Sequence, residues 1–161
     1  MEIRVTGVTK FTLSILKPFV DFPFALVEYI FKGKCKGSWR KFKQMSIDEI
    51  EKFLDERAKY RKDKHDFTSF AKTVACTLEE DCDGWSNFWY KLIKKQGKAY
   101  RVHFKFKGSV GHAGTIYYGE DAFYYFSLWC VHRFKSYDQW LLYIKENYKN
   151  LKEIIIYRPI F

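Results

Sequence analysis

The sequence predicts an α+β fold. Helical periodicity dominates the first half of the chain, strand alternation dominates the second, and a helix and a short strand are appended at the end. Residues 2–8 read as a short strand, with Ile3 and Val5 alternating against Glu2 and Arg4. The aromatic stretch Phe11–Phe31 reads as helix in pieces, and 32–45 as a basic connector. Ser46 with Glu49 forms a capping box, and Ile47, Ile50, Leu54 and Ala58 then share one helical face. Phe67, Phe70, Ala71, Val74 and Ala75 repeat the pattern over 67–78.

Beyond Cys82 the apolar positions are Trp85, Phe88, Trp89, Leu92 and Ile93, the wide stripe of a buried amphipathic helix over 83–96. Lys94, Lys95 and Gly97 mark its end. Tyr100, Val102, Phe104 and Phe106 alternate with Arg101, His103, Lys105 and Lys107, which predicts a strand with one core face and one basic, solvated face. A turn at 108–111 leads to a strand over Thr115–Tyr118. Phe123–Val131 is apolar on both faces and reads as one central strand. Ser136 and Gln139 cap a last helix whose Trp140, Leu141, Ile144, Tyr148 and Leu151 share a face, and Ile154–Tyr157 is a short final strand. The expected organisation is an N-terminal apolar and basic extension (1–45) packed on one domain (46–161).

The chain of 161 residues carries 29 Lys+Arg against 19 Asp+Glu, a net charge of +10 that favours acidic partners such as nucleic acid or an acidic protein. With hydrophobics at 47%, it is not a disordered polyelectrolyte. Lys17, Pro18, Asp21, Pro23 and Glu28 interrupt the apolar stretch 11–31, so no transmembrane span is expected, although a surface-lying segment stays open. Cys35, Cys76, Cys82 and Cys130 form no C-x-x-C pair, and no signal peptide precedes them. They read as reduced thiols of a cytoplasmic protein. The scattered histidines argue against a metal site, and nothing calls for a cofactor.

Two residues stand out chemically. Cys82 opens a helix, where unpaired N–H groups favour a thiolate, although Glu80, Asp81 and Asp83 oppose that charge. His112, in Gly111-His112-Ala113 at the mouth of a strand, is the candidate base. His103 is the alternative, on the face expected to be exposed.

The run Glu80-Asp81-Cys82-Asp83-Gly84-Trp85, an amphipathic helix, the strand 99–106 and Gly111-His112-Ala113 together resemble the transglutaminase-like (papain-like) cysteine proteases of bacterial and phage type. Those carry Gly-Asp-Cys-(Asp/Glu)-Asp-(aromatic), a helix, a strand and Gly/Ser-His-Ala. Asp81-Cys82-Asp83-Gly84 is also similar to the Asp-Cys-Ser-Gly of NlpC-type amidopeptidases, another papain-like group. The likeness covers about residues 46–145. It implies a papain-like core, a catalytic-type helix packed on an antiparallel sheet, a protein or peptide substrate, and a phage-encoded protein at work in the host cytoplasm.

Three positions depart from the pattern. Glu80 replaces a glycine, Gly84 replaces an acid, and Ser127 and Leu128 stand where the residue that orients the histidine should be Asp or Asn. Ser127 is left as the candidate partner of His112. The expectation is therefore a Cys82–His112 hydrolase or acyltransferase with a degenerate third residue. The alternative is an inactive papain-like domain that binds nucleic acid or a host protein through its basic surface.

Overall fold

A computed structural model describes residues 4–7, 22–30, 35–62, 68–108 and 111–159. Strand β1 (Arg4–Gly7) is followed by helix α1 (22–30), α2 (Trp39–Phe42), α3 (Ile47–Asp55), β2 (Lys59–Tyr60), α4 (Ala71–Thr77), β3 (Glu79–Glu80) and α5 (Cys82–Ile93). Then come β4 (Lys98–Phe106), β5 (His112–Tyr118), β6 (Phe123–Ser127), β7 (Cys130–Phe134), α6 (Tyr137–Asn147) and β8 (Leu151–Tyr157). The main sheet has the order β1-β8-β4-β5-β6-β7. The five strands from β8 to β7 pair antiparallel, and β1 joins the edge parallel to β8. This is the expected α+β class.

The sheet is covered on both faces. On one, α5 buries Trp85, Phe88, Trp89 and Ile93 against Ala99, Tyr117, Tyr124 and Phe126. On the other, Trp140 and Ile144 of α6 pack with Val102, Phe104, Ile116 and Tyr125. Three helices start at a residue whose side chain caps them. Ser46 and Glu49 close their capping box on α3, Asp81 accepts from the N–H groups of Asp83 and Gly84 on α5, and Ser136 accepts from Gln139 on α6.

Four expectations change. Cys35 and Cys76 are joined as a disulfide across 41 residues, so only Cys82 and Cys130 are free thiols. The bridge ties the segment before α2 to the end of α4, beside the bond from Lys36 N–H to the Cys76 carbonyl. Phe123–Val131 is not one strand but the end-to-end pair β6 and β7, turning at Leu128, which adopts the left-handed region (φ 54°). The turn is apolar because it faces the core: the Leu128 carbonyl accepts from Trp89 Nε1 at 2.8 Å. The basic face of β4 is solvated only in part, since Arg101 is buried against α5 and His103 is half-buried, while Lys105, paired with Glu153, and Lys107 stay exposed. Finally, Leu151 is not on the last helix, which ends at Asn147, but opens β8, a strand that lies between β1 and β4. Of the apolar stretch 11–31, the part 11–21 lies outside the described residues, and 22–30 is helical. Among the described residues no helix is long and apolar enough to cross a membrane.

Candidate active site

Cys82 is the first residue of α5, partly exposed, and α5 lies across β5. Asp81 consumes the N–H groups of Asp83 (2.9 Å) and Gly84 (3.0 Å), and the Asp81 carbonyl takes that of Trp85. The Cys82 N–H is left over at the helix start and points toward its own sulfur. The Ala113 N–H also donates toward that sulfur. Burial outweighs both donors, with help from the charges of Asp83 and Asp81, and pushes the thiol up to about 11.

His112 begins β5 instead of preceding it. Its Nε2 lies 3.0 Å from Ser127 Oγ, so the ring is held from the neighbouring strand by the residue that occupies the orienter's place. The ring stacks on Phe104 and lies beside Tyr148, on the α6 side of the sheet. Burial there pulls the imidazole down to about 4, against the opposing charge of Asp83. Both groups are thus driven to their neutral forms. No hydrogen bond joins Cys82 to His112. The structure brings His112 to Ser127 and brings Cys82 to the backbone of the residue next to His112, because consecutive strand residues face opposite ways.

On the α5 side the thiol has a second set of neighbours that the sequence reading assigned to solvent. Arg101 Nη2 donates to Asp83 Oδ1 at 2.8 Å and to the Asp83 carbonyl at 3.1 Å, and its Nε donates to Ser86 Oγ at 3.1 Å. Ser86 donates in turn to the Gly114 carbonyl at 2.6 Å, and Thr115 Oγ1 donates to the Ser86 carbonyl at 2.7 Å. His103 Nε2 lies 3.2 Å from Asp83 Oδ1 and 2.9 Å from the Tyr157 hydroxyl. His103 is therefore fixed beside the residue that follows Cys82. The inward period of Ala99 and Arg101 on β4 was the available signal, hidden by the charge of Arg101.

Two departures from the sequence motif meet in space. Glu80 is fully buried, and its Oε1 accepts the Asp81 N–H at 3.1 Å. A Cβ added at Gly84 would run into Cγ of Glu80. A carboxylate at 80 thus requires a glycine at 84. Among the described residues no cluster of His, Cys, Asp or Glu is arranged to hold a metal ion. No protein-family model matches the chain, and no curated protein or solved structure is significantly similar to it.

Proposed function

We propose that the chain is a cysteine hydrolase or acyltransferase acting on amide, ester or thioester bonds, with Cys82 as nucleophile, His112 as general base and Ser127 holding the imidazole. One observation carries the reading: β5 starts with a histidine held by Ser127, and its next residue aims its N–H at the sulfur that leads α5. A cysteine-led helix on an antiparallel sheet that also delivers the histidine supports a papain-like core as the finer description of the fold.

Because both groups rest neutral, the reaction begins from thiol and imidazole. Cys82 Sγ attacks the carbonyl carbon as its proton passes to His112, whose Nδ1 is the ring nitrogen not engaged by Ser127. The Cys82 N–H, spared by Asp81, stabilises the oxyanion. His112 returns the proton to the leaving group, leaving a thioester on Cys82. Water or another acceptor takes the acyl group, again with His112 as base. At rest the imidazole lies on the α6 side of β5 and the sulfur on the α5 side, so this transfer requires His112, the first residue of β5, to swing out of its stack on Phe104 and past the strand end toward Cys82. The alternative, a basic binding module, keeps Lys105 and Lys107 on the exposed end of that strand face but not Arg101, which is buried and paired with Asp83.

The test is acylation by p-nitrophenyl acetate, read as a p-nitrophenolate burst and as an acetyl group located by mass spectrometry. The acetyl group is expected on Cys82. Cys82→Ala is expected to abolish the burst, and His112→Ala to slow it by about a hundredfold or more. Ser127→Ala is expected to slow it about tenfold, the worth of one hydrogen bond. His103→Ala is expected to retain the burst. Label on Cys130, or a burst lost with His103 and kept without His112, overturns the assignment.

A further inference from the structure

The described residues surround a cavity of about 990 Å³ that neither Cys82, His112 nor Ser127 lines. It is as large as small-molecule sites become. Trp39, Phe42, Met45, Ile50 and Phe70 make its walls apolar, and Leu26 and Tyr29 of α1 close one side. The same helix leaves Phe22, Phe24, Val27 and Ile30 exposed next to it. Four lysines reach the cavity, Lys43, Lys72, Lys91 and Lys95. Among the described lining residues the one carboxylate is Asp48, and it is ion-paired with Arg133.

An apolar chamber with a cationic rim suits an amphipathic anion. A neutral hydrocarbon would leave the lysines without partners. A polyanion such as a nucleotide would waste the apolar walls. We propose that this cavity binds a free long-chain aliphatic carboxylate, with its chain along the apolar walls and its headgroup among Lys43, Lys72, Lys91 and Lys95. Lys91 is partly buried on α5, and burial first, then Lys94 beside it, pulls its ammonium down to about 8. A carboxylate there supplies the counter-charge that this ammonium lacks among the described residues.

The experiment titrates the full chain with 12-bromododecanoate and with 12-bromododecanol and reads quenching of tryptophan fluorescence, since Trp39 lines the cavity. Saturable quenching is expected, most of it removed by Trp39→Phe. The carboxylate is expected to bind at least about tenfold tighter than the alcohol, the worth of one charge-assisted contact. The double variant Lys91→Met with Lys95→Met is expected to erase that preference and keep the affinity for the alcohol. Equal affinities for acid and alcohol in the wild-type chain, or quenching that survives Trp39→Phe, overturn the proposal. So does an absence of saturable quenching. Quenching seen only with anionic vesicles of brominated phospholipid overturns it in favour of a membrane surface.

Discussion

Both faces of the sheet are covered, yet they bury different chemistry. Toward α5 the strands pack Tyr117, Tyr124 and Phe126 on the helix and add a polar patch at its start, Arg101, His103 and Thr115, tied to Asp83 and Ser86 in a chain of hydrogen bonds. Toward α6 they present Val102, Phe104, Ile116 and Tyr125, packed with Trp140 and Ile144. The polar patch fixes the start of α5 and hence Cys82, while the aromatic packing toward α6 shields His112 and holds it neutral. The contrast teaches that the candidate pair straddles β5. The candidate nucleophile sits by the charged patch on the α5 side and the candidate base in the aromatic packing on the α6 side, and each can be broken separately.

The sharpest break is in the charged patch. Arg101→Met leaves Asp83 without its buried cation and is expected to cost about 4 kcal/mol. Pairing it with Asp83→Asn is expected to restore part of that loss. Urea unfolding of the two single variants and the double tests this, and additive costs would contradict a coupled pair. Next comes Gly84→Ala, expected to cost about 3 kcal/mol because the new methyl group meets Glu80. Glu80→Gly is expected to relieve most of that clash in the double variant. A harmless Gly84→Ala would mean that Glu80 does not occupy the space over the helix start.

The aromatic packing around His112 is tested with acid. The unfolded chain binds a proton at His112 near pH 6.5, and the folded chain only near 4. The stability this contributes is whole above pH 6.5 and falls as the pH drops from there to 4, by at most about 3 kcal/mol. His112→Gln is expected to flatten that slope, measured as the urea midpoint between pH 7 and 4. His132, also pulled down by burial, adds a slope of the same sign that the variant leaves in place. The smallest effect belongs to the turn between β6 and β7. Trp89→Phe removes the donor to the Leu128 carbonyl and is expected to cost about 1 kcal/mol.

The helices were legible because capping and apolar spacing are local signals: Ser46 and Ser136 each cap the helix that follows them, and the Trp85–Ile93 stripe marks α5. The turn at Leu128 was not, because it uses no Gly, Pro, Asn or Asp, and its carbonyl is satisfied by Trp89, 39 residues away. Arg101 was read as solvated because a lone strand does not reveal that a helix carrying Asp83 covers its charged side. The Cys35–Cys76 bridge joins residues 41 apart, a pairing with no local signature. In the site, the pairing of His112 with Ser127 was expected from the resemblance, which puts the residue that orients the histidine near 127 or 128. The separation of Cys82 from His112 by one strand residue depends on which way each side chain faces, and the sequence placed His112 before the strand instead of in it.

The central claim is that acylation of Cys82 starts from a neutral thiol with neutral His112 as base. The pH dependence of the p-nitrophenyl acetate burst tests it most directly. The account predicts a rate that rises through a pKa near 4 and stays level through neutral pH, with His112→Ala removing that rise. A burst that follows only the ordinary thiolate fraction, climbing toward pH 11 and unchanged in His112→Ala, would contradict it.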